Sequence, residues 1–219
     1  MASSQVRATR RQISYPPSGC IRPSTDYFIE LLILPSGEWP GAKPWLRVEL
    51  EAGHFGLPSF EFLSLTSLDR CRFDDMLEYA QPSMMALANL LSHSALDSDP
   101  PMSTQVEGRD IHRSSKDLGR VLALTWLESR SEVDTWSERW ASALRTCFPT
   151  RWGELAARVG DGLRALLEDT DRFDEAWHCC NVGLLSGYSV THAQLRATAA
   201  QLLGDVIVLV EELAAAAPE

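Results

Sequence analysis

The period of the apolar residues changes near position 70, and this change constrains the fold more than any other feature of the chain. Before it, the segment 45–51 (WLRVELE) alternates residue by residue: Trp45, Arg47, Glu49 and Glu51 fall on one face, Leu46, Val48 and Leu50 on the other. A period of two marks a half-buried strand, because successive side chains of an extended backbone point to opposite faces. After it, apolar residues recur at three- and four-residue steps. Val133, Trp136, Trp140, Leu144 and Phe148 would form one stripe along a helix. The pattern predicts an α+β fold, with a small N-terminal β-sheet packed with helices and a helical C-terminal extension.

Finer punctuation divides the chain further. Residues 1–24 are rich in Ser, Arg and Pro and are expected to form a flexible N-terminal arm. The apolar run 27–34 (YFIELLIL) ahead of Pro35, Ser36 and Gly37 predicts a strand and turn, and 38–44 reads as a loop. A short third strand is expected at 60–65, where a helical stretch could equally begin. Pro82 heads an apolar stretch with helical spacing, and proline is tolerated in a first helical turn. A loop over 97–108 precedes helices expected at 110–128, 132–147, 152–167, 173–185 and 193–217. This divides the chain into an α+β core at 25–128 and a helical region at 129–219. The last helix carries Leu195, Ala199, Leu202, Leu203, Val206, Val210 and Leu213, a face that suits packing on the chain's own core or on a partner.

Composition limits the function classes. The 219 residues carry a net charge of −10, from 30 acids and 20 bases. That balance disfavours broad DNA binding, which needs clustered cations. Five cysteines, Cys20, Cys71, Cys147, Cys179 and Cys180, are odd in number and widely spaced, which argues against a disulfide framework; the adjacent Cys179 and Cys180 read as buried thiols in preference to soft metal ligands. The polar, basic start lacks the apolar region of a signal peptide, and no apolar run reaches the ~18 residues of a membrane helix. A cytoplasmic protein with no membrane contact is the expectation.

No H-E-x-x-H, G-x-S-x-G, Walker or G-x-G-x-x-G pattern occurs, which removes the easily recognised metalloprotease, hydrolase, P-loop and dinucleotide enzymes. Arg172 and His178 have five residues between them, a spacing that resembles RNases of the HEPN type. A larger constellation joins an acid-bearing strand (Asp26, Glu30), the Arg47-Val48-Glu49 step, a Pro82-led helix and the segment RDIHRSSKDLGRVLAL at 109–124. In this order the chain resembles the nucleotidyltransferase superfamily of the minimal, bacterial kind that includes the AbiEii-like toxins.

The resemblance covers about 18–128 and implies roles for particular residues. Glu49 matches the third catalytic carboxylate, and Arg109, Lys116 and Asp117 match the R…KD segment. Asp26 and Glu49 are the implied catalytic and metal-binding residues, for Mg²⁺ if the protein is active. Ser18, Gly19 and Lys116 are the implied cofactor-binding residues. Such chemistry needs carboxylates close enough to hold two magnesium ions on a triphosphate. Here the D-x-D pair is missing, with Phe28 at its second position. Glu30 lies about 13 Å along the strand from Asp26 by strand rise. The Ser18-Gly19 order is reversed from Gly-Ser, and Asn89 stands where the family has a helix lysine. The resemblance therefore implies a degenerate catalytic motif and a protein that acts by binding a protein or a nucleotide, including self-association through its C-terminal helices. A HEPN-like RNase centred on Arg172 and His178 is one alternative, and a non-enzymatic interaction protein (antitoxin, inhibitor or assembly subunit) is the stronger one. It draws on the acidic charge and on Trp126, Trp136, Trp140, Trp152 and Trp177, since aromatic residues are enriched at interfaces.

Overall fold

A computed structural model describes residues 32–35, 45–50, 53–73, 78–96 and 100–216. The chain is α+β, with short antiparallel strands in its N-terminal part and helices thereafter. It divides into two compact units, Met1–Glu61 and Phe62–Glu219. The expected arm at 1–24 and the greater part of the strand expected at 27–34 lie outside the described residues, as does the loop at 38–44.

In the first unit the alternating segment forms β1 (Trp45–Leu50), which pairs antiparallel with β2 (Gly53–Pro58) in a register that sets Glu49 opposite His54. Val48 is half-buried and Glu49 exposed, as the alternation requires. β2 (GHFGLP) contains two glycines and a proline, which weaken intrinsic strand preference, so the pairing to β1 defines it. Gly53 has φ +131°, a backbone that favours glycine, where the hairpin re-enters the ladder. The Ile33 amide donates to Pro58 O at 3.2 Å, and Ser59 Oγ donates to Ile33 O at 2.7 Å. These bonds hold the end of the apolar run beside β2, although Leu32–Pro35 is not regular strand.

The second unit begins within the 3₁₀ helix Glu61–Ser67, which stands in place of a third strand at 60–65. Phe62 and Leu65 are buried on one side of it, and Phe62 meets Phe148 edge-on at 5.7 Å. A minimal ladder follows, β3 (Cys71–Arg72) with β4 (Glu78–Tyr79). The helices are α1 (Pro82–Ser92), α2 (Arg113–Leu127), α3 (Arg130–Val133), α4 (Trp136–Cys147), α5 (Trp152–Ala157), α6 (Asp161–Glu168), α7 (Thr170–Val182), α8 (His192–Leu202) and α9 (Val208–Ala215). Two expected helices are broken. The one at 132–147 parts at Asp134 and Thr135, after Ser129 has capped α3 through the Glu132 amide. The one at 152–167 parts at Arg158–Gly160. The last expected helix continues from α8 into α9 through a π turn, Leu203–Ile207.

α2 lies at the centre of this unit, packed on α1, α6, α7 and α8, with its most extensive contact on α7. Helices on both sides of position 128 therefore share one core. Trp136 and Trp140 are fully buried in it, and Trp140 Nε1 donates to Ser83 O at 3.0 Å. Trp126, Trp152 and Trp177 pack on its margin, so all five helical tryptophans serve the core. On the closing stretch Leu195, Ala199, Leu202, Val206 and Val210 are buried, whereas Leu213 is exposed. Glycine permits the central crossing: a Cβ at Gly119 would lie 2.8 Å from Ala176 O on α7. Among the described residues, no helix is long and apolar enough to cross a membrane.

Candidate functional site

The segment 109–124 of the sequence resemblance becomes the first four-fifths of α2 with the residues just before it. Asp117 is buried there, 7% exposed. His93, just past the end of α1, approaches it with Nε2 3.0 Å from Oδ2. Arg113 Nε lies 3.5 Å from Oδ2, and Arg120 Nη1 3.4 Å from Oδ1. Burial opposes the charge on this carboxyl. The His93 hydrogen bond and the charges of Arg120, His93 and Lys116 outweigh it and hold the group below the ordinary carboxylate range. Asp117 thus fastens α2 to the end of α1.

One turn of helix separates Lys116 from Arg120, and a further turn leads to Ala123, so all three share a face of α2. They line one side of a groove of about 360 Å³, whose other side is built by Cys179, Cys180, Gly183 and Leu184 from α7 and its C-terminal end. Lys116 and Arg120 are the charged residues of the lining. Burial pushes the Cys179 thiol up to about 11 against the opposing charge of Lys116, and the Cys180 thiol up to about 12. Both are neutral near pH 7, and Cys180 Sγ donates to Gly119 O at 3.0 Å. The groove therefore offers two cations on a soft, uncharged floor and no thiolate nucleophile.

Of the residues implied at the catalytic centre, Ser18, Gly19, Asp26, Phe28 and Glu30 lie outside the described residues. Glu49 is exposed on the β1–β2 hairpin, with Oε1 3.4 Å from His54 Nδ1. Glu49 belongs to the first unit and Lys116 to the second. Among the described residues no group of three His, Cys, Asp or Glu side chains is placed to hold a metal. By the sequence resemblance, a magnesium site on Glu49 would also need the Asp26 carboxylate. Asn89 turns back on its own helix, its amide donating to Met85 O at 2.9 Å.

Other polar residues of α7 tie it to the loop that precedes α2. Arg109 Nη1 donates to Asp174 Oδ2 at 2.9 Å, and His192 Nε2 lies 3.1 Å from the other oxygen of that carboxylate. His112 Nδ1 lies 2.9 Å from Glu175 Oε1, while the His112 amide donates to Glu175 Oε2 at 3.1 Å. Arg172 donates to Leu96 O at 2.7 Å, and His178 Nε2 lies 3.4 Å from Val106 O. Six positions apart on one helix, Arg172 and His178 face directions roughly 120° apart, and these contacts do not bring them together. Arg120, Cys179 and Leu184 were not singled out as site residues from the sequence. Only the i, i+4 spacing of Lys116 and Arg120 could have paired the two cations in advance. Compared with known proteins, the chain matches no family model, no curated protein and no solved structure.

Proposed function

We propose that this chain is a nucleotidyltransferase-like protein whose catalytic motif is degenerate and which acts by binding, with a nucleotide held at the groove between α2 and α7. One observation carries the reading. Lys116, to which the sequence resemblance gives a nucleotide contact, lines that groove beside Arg120, and they are its charged residues. Pockets of ~300–1,000 Å³ with mostly apolar walls and a few placed polar groups are the usual form of small-molecule sites. The test is equilibrium binding of ATP, CTP, GTP and UTP with Mg²⁺ to the wild type and to Lys116→Ala. A charge-assisted contact is worth about 1.5–3 kcal/mol, so the variant should bind about tenfold or more weakly. Equal affinity in the two proteins refutes the site. Any residual nucleotidyl transfer should be lost in Glu49→Gln if that carboxylate binds metal, and unchanged transfer removes Glu49 from the reading.

A second reading, self-association through the C-terminal helices, rests on a different observation. Val208, Leu209 and Leu213 of α9 are exposed, Leu209 and Leu213 one turn apart, and adjacent exposed apolar groups mark interfaces. Light scattering after size exclusion should show an oligomer that Leu209→Glu with Leu213→Glu converts to a monomer. A wild type that is monomeric at micromolar concentration ends this reading.

A further inference from the structure

The lining of the groove specifies its ligand more narrowly than the word nucleotide does, and the inference rests on the binding site proposed above. Lys116 and Arg120 differ in what they can offer. Arg120 already shares its charge with Asp117 Oδ1 at 3.4 Å. Among the described residues, Lys116 forms no ion pair with a carboxylate, so it is the open cation of the groove. One open and one shared cation match a single phosphate or carboxylate group. A triphosphate carries more charge than this pair can balance, and the lining has no carboxylate to bring in a metal that would balance it.

The rest of the wall is apolar. Ala123 continues the face of α2 beyond Arg120, and the Cys179 thiol is neutral because burial pushes it up to about 11. Leu184, just past α7, is half-exposed at 50%, an aliphatic side chain left in water at the lip of the cleft. These surfaces suit a flat or aliphatic body and contribute affinity by removing apolar area from water. We infer that the groove takes a ligand with one anionic group on an apolar body, bound without a metal. A nucleoside monophosphate belongs to this class and a metal–triphosphate complex does not.

Isothermal titration of the full chain with five probes tests this: AMP, ATP with Mg²⁺, adenosine, inorganic phosphate and phenyl phosphate. AMP without Mg²⁺ should bind at least tenfold more tightly than ATP with Mg²⁺, and adenosine and inorganic phosphate should each bind at least tenfold more weakly than AMP. Lys116→Ala should lose about tenfold or more for AMP. Leu184→Ser, an exposed substitution, should weaken AMP severalfold and leave inorganic phosphate unchanged. If ATP with Mg²⁺ binds as tightly as AMP or more tightly, or Leu184→Ser leaves AMP binding intact, the ligand class is overturned while nucleotide binding survives. If phenyl phosphate binds with Lys116 dependence and no nucleotide does, the ligand class stands and the nucleotide reading falls. Binding of neither AMP nor phenyl phosphate, or AMP binding indifferent to Lys116→Ala, overturns the groove as a site.

Discussion

Asp117→Ala tests the centre of the helical unit. Its carboxylate is nearly excluded from water, accepts from His93 at 3.0 Å, and lies within 3.5 Å of the Arg113 and Arg120 guanidinium groups. Removing one partner of a buried charge pair costs about 3–5 kcal/mol, because the remaining group is left desolvated without compensation. Here the two arginines can still turn to solvent, whereas His93, 13% exposed at its side chain, cannot do so easily. The lower end, about 3 kcal/mol, is therefore expected. For a chain of this size that corresponds to a fall in Tm of roughly 6–12 °C. The pH dependence separates this mechanism from simple loss of packing. The folded pKa of Asp117 lies below its unfolded value, which is about 3.9. Its contribution is complete above that value and is lost as pH falls through the still lower folded pKa. Urea unfolding followed by tryptophan fluorescence should give a wild-type-to-variant difference that is present at about pH 5 and shrinks below about pH 4. A difference under about 0.5 kcal/mol, or one that persists undiminished in acid, would show that the ion cluster does not hold α1 to α2. A double-mutant cycle with His93→Ala should recover a coupling of about 1–3 kcal/mol.

Three other measurements follow from local geometry. A Cβ at Gly162 would lie 1.7 Å from His93 O, so Gly162→Ala should cost about 3 kcal/mol or more through forced separation of α6 from the end of α1. Gly153, with nothing within 4 Å of its Cβ position, should gain up to about 1 kcal/mol on the same change; denaturation midpoints that move together would refute the distinction. Thr191 caps α8 in a reciprocal box with Gln194, and Thr191→Ala should lower stability by about 1 kcal/mol in urea titrations, an unchanged midpoint removing the cap's role. Cys179 and Cys180, whose thiols are held neutral by burial up to about 11 and 12, should resist iodoacetamide at pH 7.5 in the folded protein and react in urea, as read by peptide mass. Rapid native modification of Cys180 would contradict its place in the core.

The distribution of success between sequence and structure has a physical basis. β1 was legible because alternation reports a half-buried strand directly. Its partner β2 was not, since Gly53, Gly56 and Pro58 carry little strand signal and a ladder supplies what propensity lacks. Likewise, the apolar stripes of 132–147 and 152–167 located helical residues but missed the breaks at 134–135 and 158–160. The second break occurs where Gly160 packs so closely that a Cβ would lie 2.7 Å from Ile207 Cγ2, a contact spanning 47 positions of sequence. The 3₁₀ segment at 61–67 shows the ambiguity of a short apolar run, which strand and helix share.

The candidate site divides along the same line. Lys116 was identified from a sequence resemblance, and Arg120 follows it by four positions on the same helical face, a local relation. Cys179 and Leu184 reach the groove only because α7 crosses α2 where Gly119 admits the Ala176 carbonyl. That crossing is set by the absence of a side chain at one position and by a partner more than fifty residues away, which no periodicity encodes. Gly119→Ala is therefore informative about the site as well as the fold. Its Cβ would meet backbone atoms at 2.8–3.3 Å, which cannot swing aside as a flexible side chain would, so the helices must part and take the two walls of the groove with them. If ligand affinity in a folded Gly119→Ala variant falls as it does in Lys116→Ala, the groove depends on both helices. If affinity is retained, the cations of α2 bind by themselves and the opposing wall of Cys179 and Leu184 contributes nothing.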